Sequence, residues 1–300
     1  MRNFGVEIEL VGITMEQSQN AIRAAGVRVE NEGYNHTDHT DHWKIVRDAS
    51  VQGGHEVVSP ILSSLDEVIK VATALQKAGA TANKSCGLHV HMDASDLSPD
   101  AIRSICKRYA EHEEEIDAFM PASRRGAANQ YCRMVWGRFS TDQFNSAVTA
   151  EDFAACQPTR YYKVNLHALV RHRTLEFRQH SGTVDAVKIA NWILFIDAFI
   201  AESVRKHARL QPAHSALVDL LASRDGMTEE EIAEALGVLP ATCRGAISRA
   251  KKAGAEITSE RTARGTVYRA SRSTRTGAGL FDGIPDSIRA FYQIRALQLA

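Results

Sequence analysis

The sequence has few cysteines and no long apolar run, and each shortage narrows what the chain can be. Its five cysteines, at positions 86, 106, 132, 156 and 243, are odd in number, widely scattered and without a CxxC pair. That pattern argues against a disulfide framework or a thiolate zinc site and assigns most of them as small buried hydrophobes. No stretch approaches the roughly eighteen apolar residues of a membrane span. The run WILFIDAFI is interrupted by Asp197 and followed by Glu202 and Arg205. The amino-terminal MRNFGVEIEL enters a charged strand directly, without the apolar core or cleavage site of a signal peptide, so a cytoplasmic protein is expected. Net charge is absent too, at zero, but the balance hides a segregation: residues 239–275 hold nine arginines and lysines against Glu256 and Glu260. A basic segment beside an acidic body suggests two different partners.

What is present is organised around CGLHVHMDAS, Cys86 to Ser95. Leu88, Val90 and Met92 alternate with His89, His91 and Asp93, the pattern of a strand with one apolar face and one face of metal-binding groups. FGVEIELV repeats it, with Glu7 and Glu9 on one side of Val6, Ile8 and Leu10, and so does RTLEFRQHSG, where Leu175 and Phe177 alternate with Glu176, Arg178 and His180. As neighbours in one antiparallel sheet, these strands would bury their apolar faces under helices and join their polar faces into a wall of carboxylates and imidazoles. Such a wall is unfavourable by Coulomb's law unless cations sit within it, and divalent metal ions meet that need.

Length suggests two domains, a body over 1–207 and a small unit over 212–272, with 273–300 as a tail that carries a short helix over Ser287 to Leu299. Thr14 with Gln17 opens a helix to about Ala25. Gly26 to His42 is polar and holds His36, His39 and His42 at spacings of three; a solvated loop is the favoured reading, a metal-binding helix face the alternative. Trp43–Asp48 and Gly54–Leu62 read as strands. Glu56 at the end of the second ranks above Asp48, which stands where a turn residue is ordinary. Ser64 and Glu67 are expected to cap a helix to Gly79. The following GATANKS fails the Walker pattern at Ala78 and Asn83. Ser98 and Pro99 begin a helix to about Met120. Residues 121–160 are irregular and carry Arg124, Arg125, Arg133, Arg138 and Arg160, candidates for an anionic ligand. YYKVNLHAL reads as a strand with Arg173–His180 as its hairpin partner, Thr183 as the cap of the next helix, and HARLQPAH as a linker.

These motifs in this order, FGVEIE, WKIVRDAS with GHEVVSP, CGLHVH, then RYYKVN with TLEFRQHSGT, resemble the amidoligase family, a branch of the glutamine-synthetase-like carboxylate-amine ligases, over about the first 205 residues. GLHVH is similar to the GMHxH stretch of glutamine synthetases and LEFR to their LExR stretch. The resemblance implies an α+β fold, a curved antiparallel sheet with helices on its convex face, holding ATP with magnesium or manganese. It implies activation of a carboxylate as an acyl phosphate, which an amine then displaces to leave an amide. Glu7, Glu9, Glu56 and Glu176 fall on the family's metal-ligand positions and His89 on its metal-bound histidine. Arg178 would hold phosphate or substrate carboxylate, with Arg173 assisting. The residue types suit this chemistry: carboxylates are hard ligands for magnesium, arginine matches phosphate, and His91 offers a base toward the amine or a second bond orienting His89. Asn165, His180 and Asp48 are left without an assigned role. The substrates are expected to be a small-molecule or peptide carboxylate and an amine.

Residues 212–272 read as a helix-turn-helix with a two-stranded wing: a first helix marked by Leu217, Leu220 and Leu221, a second opened by Thr228 with Glu231 as a capping box, Gly237 as the turn, a third with Pro240 near its first turn, and a turn near Gly265. Arg244, Arg249, Lys251, Lys252, Arg261, Arg264 and Arg269 favour phosphate contact, hence nucleic acid through 212–275; docking to an acidic partner explains the charge equally well. Two rivals to the ligase stand beside it. One is a metal-dependent hydrolase or nuclease, which would act without nucleotide; the other is a DNA-binding regulator whose amino-terminal domain senses a ligand.

Overall fold

The computed structural model describes every residue except 35–40, 128, 136, 210–211, 224–225, 238, 253–254, 256, 271–278 and 300. His36 and His39 therefore lie outside the described residues. The chain opens with β1 (Phe4–Val11), α1 (Met15–Ala24), β2 (Val29–Gly33), β3 (Trp43–Val46), β4 (Gly54–Val58), α2 (Asp66–Lys77), β5 (Leu88–Asp93), α3 (Pro99–Glu111) and α4 (Glu113–Ala118). Short helices α5 (Asp142–Ser146) and α6 (Ala150–Ala155) precede β6 (Val164–Asn165), α7 (His167–His172), β7 (Thr174–Phe177) and the long α8 (Ala186–Arg209). Then come α9 (Pro212–Ser223), β8 (Met227–Thr228), α10 (Glu229–Leu236), α11 (Pro240–Lys252), β9 (Ile257–Thr262), β10 (Gly265–Ala270) and α12 (Asp286–Leu299).

The architecture is α+β. One sheet runs β2-β3-β4-β1-β5-β7-β6 and a second runs β8-β10-β9. Alternation in β1 and β5 sends Val6, Ile8, Leu10, Leu88, Val90 and Met92 into one hydrophobic cluster with Val68, Val71 and Leu75 of α2 and Ile189, Ile193 and Ile196 of α8. Both helices carry their apolar residues at helical spacing, so the layer over the sheet follows from the sequence pattern. The opposite face is left to the polar residues. Among the described residues no helix is long and apolar enough to cross a membrane.

Several expectations are corrected. The large sheet is mixed, because β2 pairs in parallel with β3, Val29 opposite Trp43. The sequence of β2, VENEG, has one apolar residue and no alternation, so only pairing makes it a strand. YYKVNLHAL is not one strand. Asn165 Oδ1 accepts from His167 N and Gln157 Oε1 from Leu166 N, and these side-chain bonds end β6 after two residues and start α7. Ser64 does not cap α2 as its N-cap, a position held by Leu65 with no side-chain cap bond, and Glu67 accepts instead from Trp43 Nε1 at 3.0 Å. Asp185 caps α8 by accepting from Val187 N and Lys188 N, with Thr183 supporting it. The helix expected to reach Met120 divides at His112, and the proposed linker 207–214 is helical up to Arg209 and again from Pro212.

Residues 217–270 have their own hydrophobic cluster, with Leu217, Leu221, Met227, Ile232, Cys243, Ile247 and Ile257 buried together. The chain then returns. Leu280, Ile284, Ile288 and Tyr292 belong to the first cluster, and the fully buried Arg108 donates to the carbonyls of Phe199, Gly279, Leu280 and Asp282 and to Ser203 Oγ. The 217–270 unit is thus inserted between two segments that pack into the same body.

Beneath the sheet, the buried His55 Nε2 lies 2.8 Å from the buried Ser18 Oγ of α1. Burial pushes the His55 imidazole down to about 4 from its ordinary 6.5. His55 therefore contributes stability that is present above pH 6.5 and lost as pH falls towards 4, on the order of 3 kcal/mol. His55→Gln, which keeps a polar partner for Ser18 but cannot titrate, is expected to flatten the acid limb of a curve of Tm against pH. An unchanged limb would contradict this assignment.

Candidate active site

Strand register builds the polar face. Glu9 of β1 stands opposite Glu56 of β4, and Glu7 of β1 opposite His89 of β5. His91 of β5 stands opposite Glu176 of β7, which in turn faces Asn165 of β6. Directly opposed residues on one face have their Cβ atoms about 5 Å apart, so the row collects four glutamates and two histidines from four strands, with Asn165 added from a fifth. His89 Nδ1 lies 2.8 Å from Glu7 Oε2 and His89 Nε2 3.6 Å from Glu9 Oε1. His91 Nε2 lies 3.3 Å from Glu7 Oε1 and 3.9 Å from Glu176 Oε2, and its Nδ1 is held 2.9 Å from Thr174 Oγ1. Glu176 is bonded by Arg178 Nη1 and Asn165 Nδ2.

The site is strained electrostatically in a way that points to a cation. Burial, then the charges of Glu7, Glu9 and Asp48, push the Glu56 carboxyl well above its usual range, and burial also raises Glu9. For Glu7 burial acts against ionisation, but hydrogen bonds and charge from His89 and His91 overcome it and hold the carboxyl well below its usual range. Glu176 is depressed in the same way, burial being outweighed by Arg178 and His91. His91 is raised, its burial outweighed by Glu176 and Glu7. Three sets of these side chains converge to within 4.8 Å: Glu7, His91 and Glu176; Glu7, Glu56 and His89; and Glu9, Asp48 and Glu56. The donors are mostly carboxylate oxygens with one imidazole in two of the sets, which suits magnesium or manganese. Buried His91 Nε2 makes no hydrogen bond of good geometry, leaving an unused donor or acceptor facing the carboxylates.

Gly87 enables the close packing around His89. A Cβ there would meet His89 Nε2 at 2.7 Å and Arg124 Nη2 at 2.9 Å, while Gly87 N donates to Glu9 Oε2. Beside the carboxylates opens a cleft of about 930 Å³, lined by Glu9, His89, Ser50, Gln52, Lys84, Ser85, Arg124, Tyr131, Arg133, Arg138, Tyr162 and Arg178 among others.

Of the residues singled out from sequence, Glu7, Glu9, Glu56, His89, His91, Glu176 and Arg178 come together here. Arg173 does not join them: it ends α7 in the left-handed region at φ 55°, is exposed, and its guanidinium makes no hydrogen bond or ion pair among the described residues. Asn165 joins through Glu176. His180 does not; it is buried against Trp192 with Nδ1 on Ser181 O. Asp48, ranked low in the sequence, is part of the Glu9 and Glu56 group, and a position just past a strand end gave no signal beyond that of a turn. Lys84 and Ser85 line the cleft although their stretch is no phosphate loop. Arg124 and Thr174 were without a distinguishing signal.

In the 217–270 unit the basic residues are largely offset. Arg244 pairs with Glu229, Arg264 with Glu231 and Arg269 with Glu260, leaving Lys251 and Arg261 exposed without an ion pair among the described residues. Residues 212–272 hold nine arginines and lysines against eight aspartates and glutamates. The acidic first turn of α10 supplies much of the counter-charge, although exposed pairs of this kind are individually weak.

The family described as "Putative amidoligase enzyme" matches residues 1–200. The family described as "Protein of unknown function (DUF3489)" matches residues 206–270. No curated protein matches the chain.

Proposed function

The chain belongs to the amidoligase family through residues 1–200, and from that premise we propose that it is an ATP-dependent ligase joining a carboxylate to an amine. The observation that carries the reading is the row of Glu56, Glu9, Glu7, His89, His91 and Glu176 set beside a cleft lined by arginines. A ligase of this class needs both surfaces: oxygen donors for divalent ions at one end and fixed positive charge for phosphate at the other. A hydrolase would need the first alone.

Glu7, Glu9, Glu56, His89 and Glu176 would hold magnesium or manganese, with Asp48 as a further ligand, and such ions neutralise phosphate oxygens during phosphoryl transfer. The substrate carboxylate attacks the γ-phosphorus, ADP leaves, and the acyl phosphate that forms is displaced by the amine to give the amide and inorganic phosphate. Arg178, anchored by Glu176, binds phosphate or the reacting carboxylate in a planar contact. His91 accepts the proton from the attacking amine at Nε2, with Thr174 fixing the ring through Nδ1. The 217–270 unit has the element order of a winged helix-turn-helix, and we read it as a contact module for an acidic partner.

Calorimetric titration of ATP, with and without magnesium or manganese, tests this reading on the wild type and on Glu9→Gln, which keeps an acceptor for Gly87 N but loses the charge. Metal-dependent ATP binding is expected, weakened by about a hundredfold in the variant, as a charge-assisted contact to a buried ion predicts. A wild type that binds metal but no nucleotide would overturn the ligase in favour of the hydrolase.

A further inference from the structure

The near balance of charge in the 217–270 unit conceals a division between its two halves. Residues 212–238 hold one arginine against six aspartates and glutamates, whereas residues 239–270 hold seven arginines and lysines against Glu256 and Glu260. The second half is α11 with the β9–β10 hairpin, so the positive charge belongs to one helix and one hairpin. α11 has no acidic residue. It turns Cys243, Ile247 and Ala250 into the unit's hydrophobic cluster and leaves Thr242, Arg244, Ser248 and Lys251 exposed. At the tip of the hairpin Arg261, Arg264 and Thr266 are exposed, around the turn that Gly265 makes at φ 109°. One carboxylate joins the two elements: Glu229 accepts from Arg244 Nε of α11 at 2.8 Å and from Tyr268 OH of β10 at 2.9 Å. Arg264 of the turn reaches Glu231, also in the first turn of α10. The basic helix and the basic hairpin are thus held beside one another. Arg244 and Arg264 stay 71% and 62% exposed in these pairs, and pairs so exposed are weak and open to exchange for other anions.

We propose that the unit binds duplex DNA, with α11 in the major groove and the β9–β10 hairpin on the flanking backbone. The inference rests on the reading of the unit as a contact module for an acidic partner, and it deepens that reading by naming the partner. Three observations choose DNA over an acidic protein or an RNA duplex. Protein interfaces are built around apolar and aromatic side chains, but Leu239 is the one large hydrophobic side chain exposed on the unit among the described residues. The exposed side of α11 offers the hydroxyls of Thr242 and Ser248 beside the cations of Arg244 and Lys251, a mixture suited to base edges flanked by phosphates. The third is shape. α11 is a regular helix of 13 residues, and the major groove of B-form DNA admits such a helix whereas the deep, narrow groove of A-form RNA does not.

The test is fluorescence anisotropy with three labelled probes, a DNA duplex of about two helical turns, an RNA duplex of the same sequence, and poly-L-glutamate, each titrated with the full chain. The DNA is expected to bind with a Kd of roughly 1–100 µM near physiological salt, and about tenfold more tightly than either other probe. A plot of log K against log salt should have a slope of about −3 to −4, for phosphate contacts by Arg244, Lys251, Arg261 and Arg264. Lys251→Gln/Arg261→Gln breaks no ion pair among the described residues and should make that slope shallower by about 2. Ser248→Glu adds a negative charge to the exposed side of α11 alone and should weaken DNA binding by at least about tenfold. An unchanged Tm in both variants separates a lost contact from a lost fold. Binding of poly-L-glutamate but not of DNA would overturn the proposal and leave the unit a module for acidic protein, whereas binding of none of the probes would remove the module reading as well. Equal binding of the DNA and RNA duplexes, or a Ser248→Glu chain that binds DNA as the wild type does, would take α11 out of the groove and overturn the proposal too.

Discussion

Truncation of the chain after residue 210 is expected to unfold the amidoligase body, although the deleted part contains none of the site. Leu280, Ile284, Ile288 and Tyr292 lie in the first hydrophobic cluster, among Phe119, Trp192 and Phe195. At about 1.5–3 kcal/mol for each buried side chain, their loss amounts to roughly 6–12 kcal/mol, which matches the whole net stability of a typical domain, about 5–15 kcal/mol. Arg108 adds to the loss. Its bonds to Gly279, Leu280 and Asp282 carbonyls disappear, and a buried guanidinium remains with Phe199 O and Ser203 Oγ alone. A second variant separates packing from mere length: residues 211–277 replaced by a flexible Gly-Ser linker, which retains α12. Circular dichroism and thermal melting should show the truncated chain without a cooperative transition and the linker variant with a Tm near that of the wild type. A truncated chain that melts cooperatively at the wild-type temperature would show that the returning segment contributes nothing to the body.

The second large effect is expected at Lys163→Met. Lys163 Nζ is wholly buried, 2.8 Å from Glu113 Oε1 and 2.7 Å from Asp117 Oδ1. Its two carboxylates in turn accept from backbone close to the cleft arginines Arg124 and Arg133: Asp117 Oδ2 from Gly126 N at 2.7 Å and Glu113 Oε1 from Val135 N at 3.1 Å. The backbone of Lys163 continues the connection, its N donating to Arg133 O and its carbonyl accepting from Arg178 N. Removing the ammonium leaves two buried carboxylates facing one another, a loss of about 3–5 kcal/mol. Urea unfolding should show that loss. The triple variant Lys163→Met, Glu113→Gln, Asp117→Asn should recover most of the stability, since neutral amides leave no unpaired charge. A single variant within 1 kcal/mol of the wild type would mean that the triad is not held as described.

The site was legible where chemistry follows alternation. Glu7, Glu9, His89, His91 and Glu176 sit on strands whose apolar partners have period two, so their shared face could be read without knowing which strand neighbours which. Neighbours then added what a single segment cannot show. Asp48 belongs to the cluster because β3 pairs with β4, and Arg124 belongs because the loop after α4 folds over Gly87. The helices α1, α3 and α10 were readable from their caps, while β2 was not, since a polar strand depends on its partner rather than on its own composition. The strand expected at YYKVNLHAL failed for a local reason: Asn165 and Gln157 offer the backbone better partners than a continued ladder would. Arg173 illustrates the converse. The resemblance implied that it assists Arg178, but a left-handed residue closing α7 turns it out of the strand alternation.

The insertion of the 217–270 unit between α8 and the returning α12 also has an entropic consequence. For the body, everything between Arg209 and Gly279 is one loop whose ends are already pinned. Loop-closure entropy grows only logarithmically with length, so doubling such a loop costs the body about 0.6 kcal/mol. The body therefore tolerates a unit of almost any size at this point, and its own stability places little restriction on what is carried there. The carried unit is joined to the body at both ends of the chain, so a partner bound to it would be held at a raised local concentration near the body.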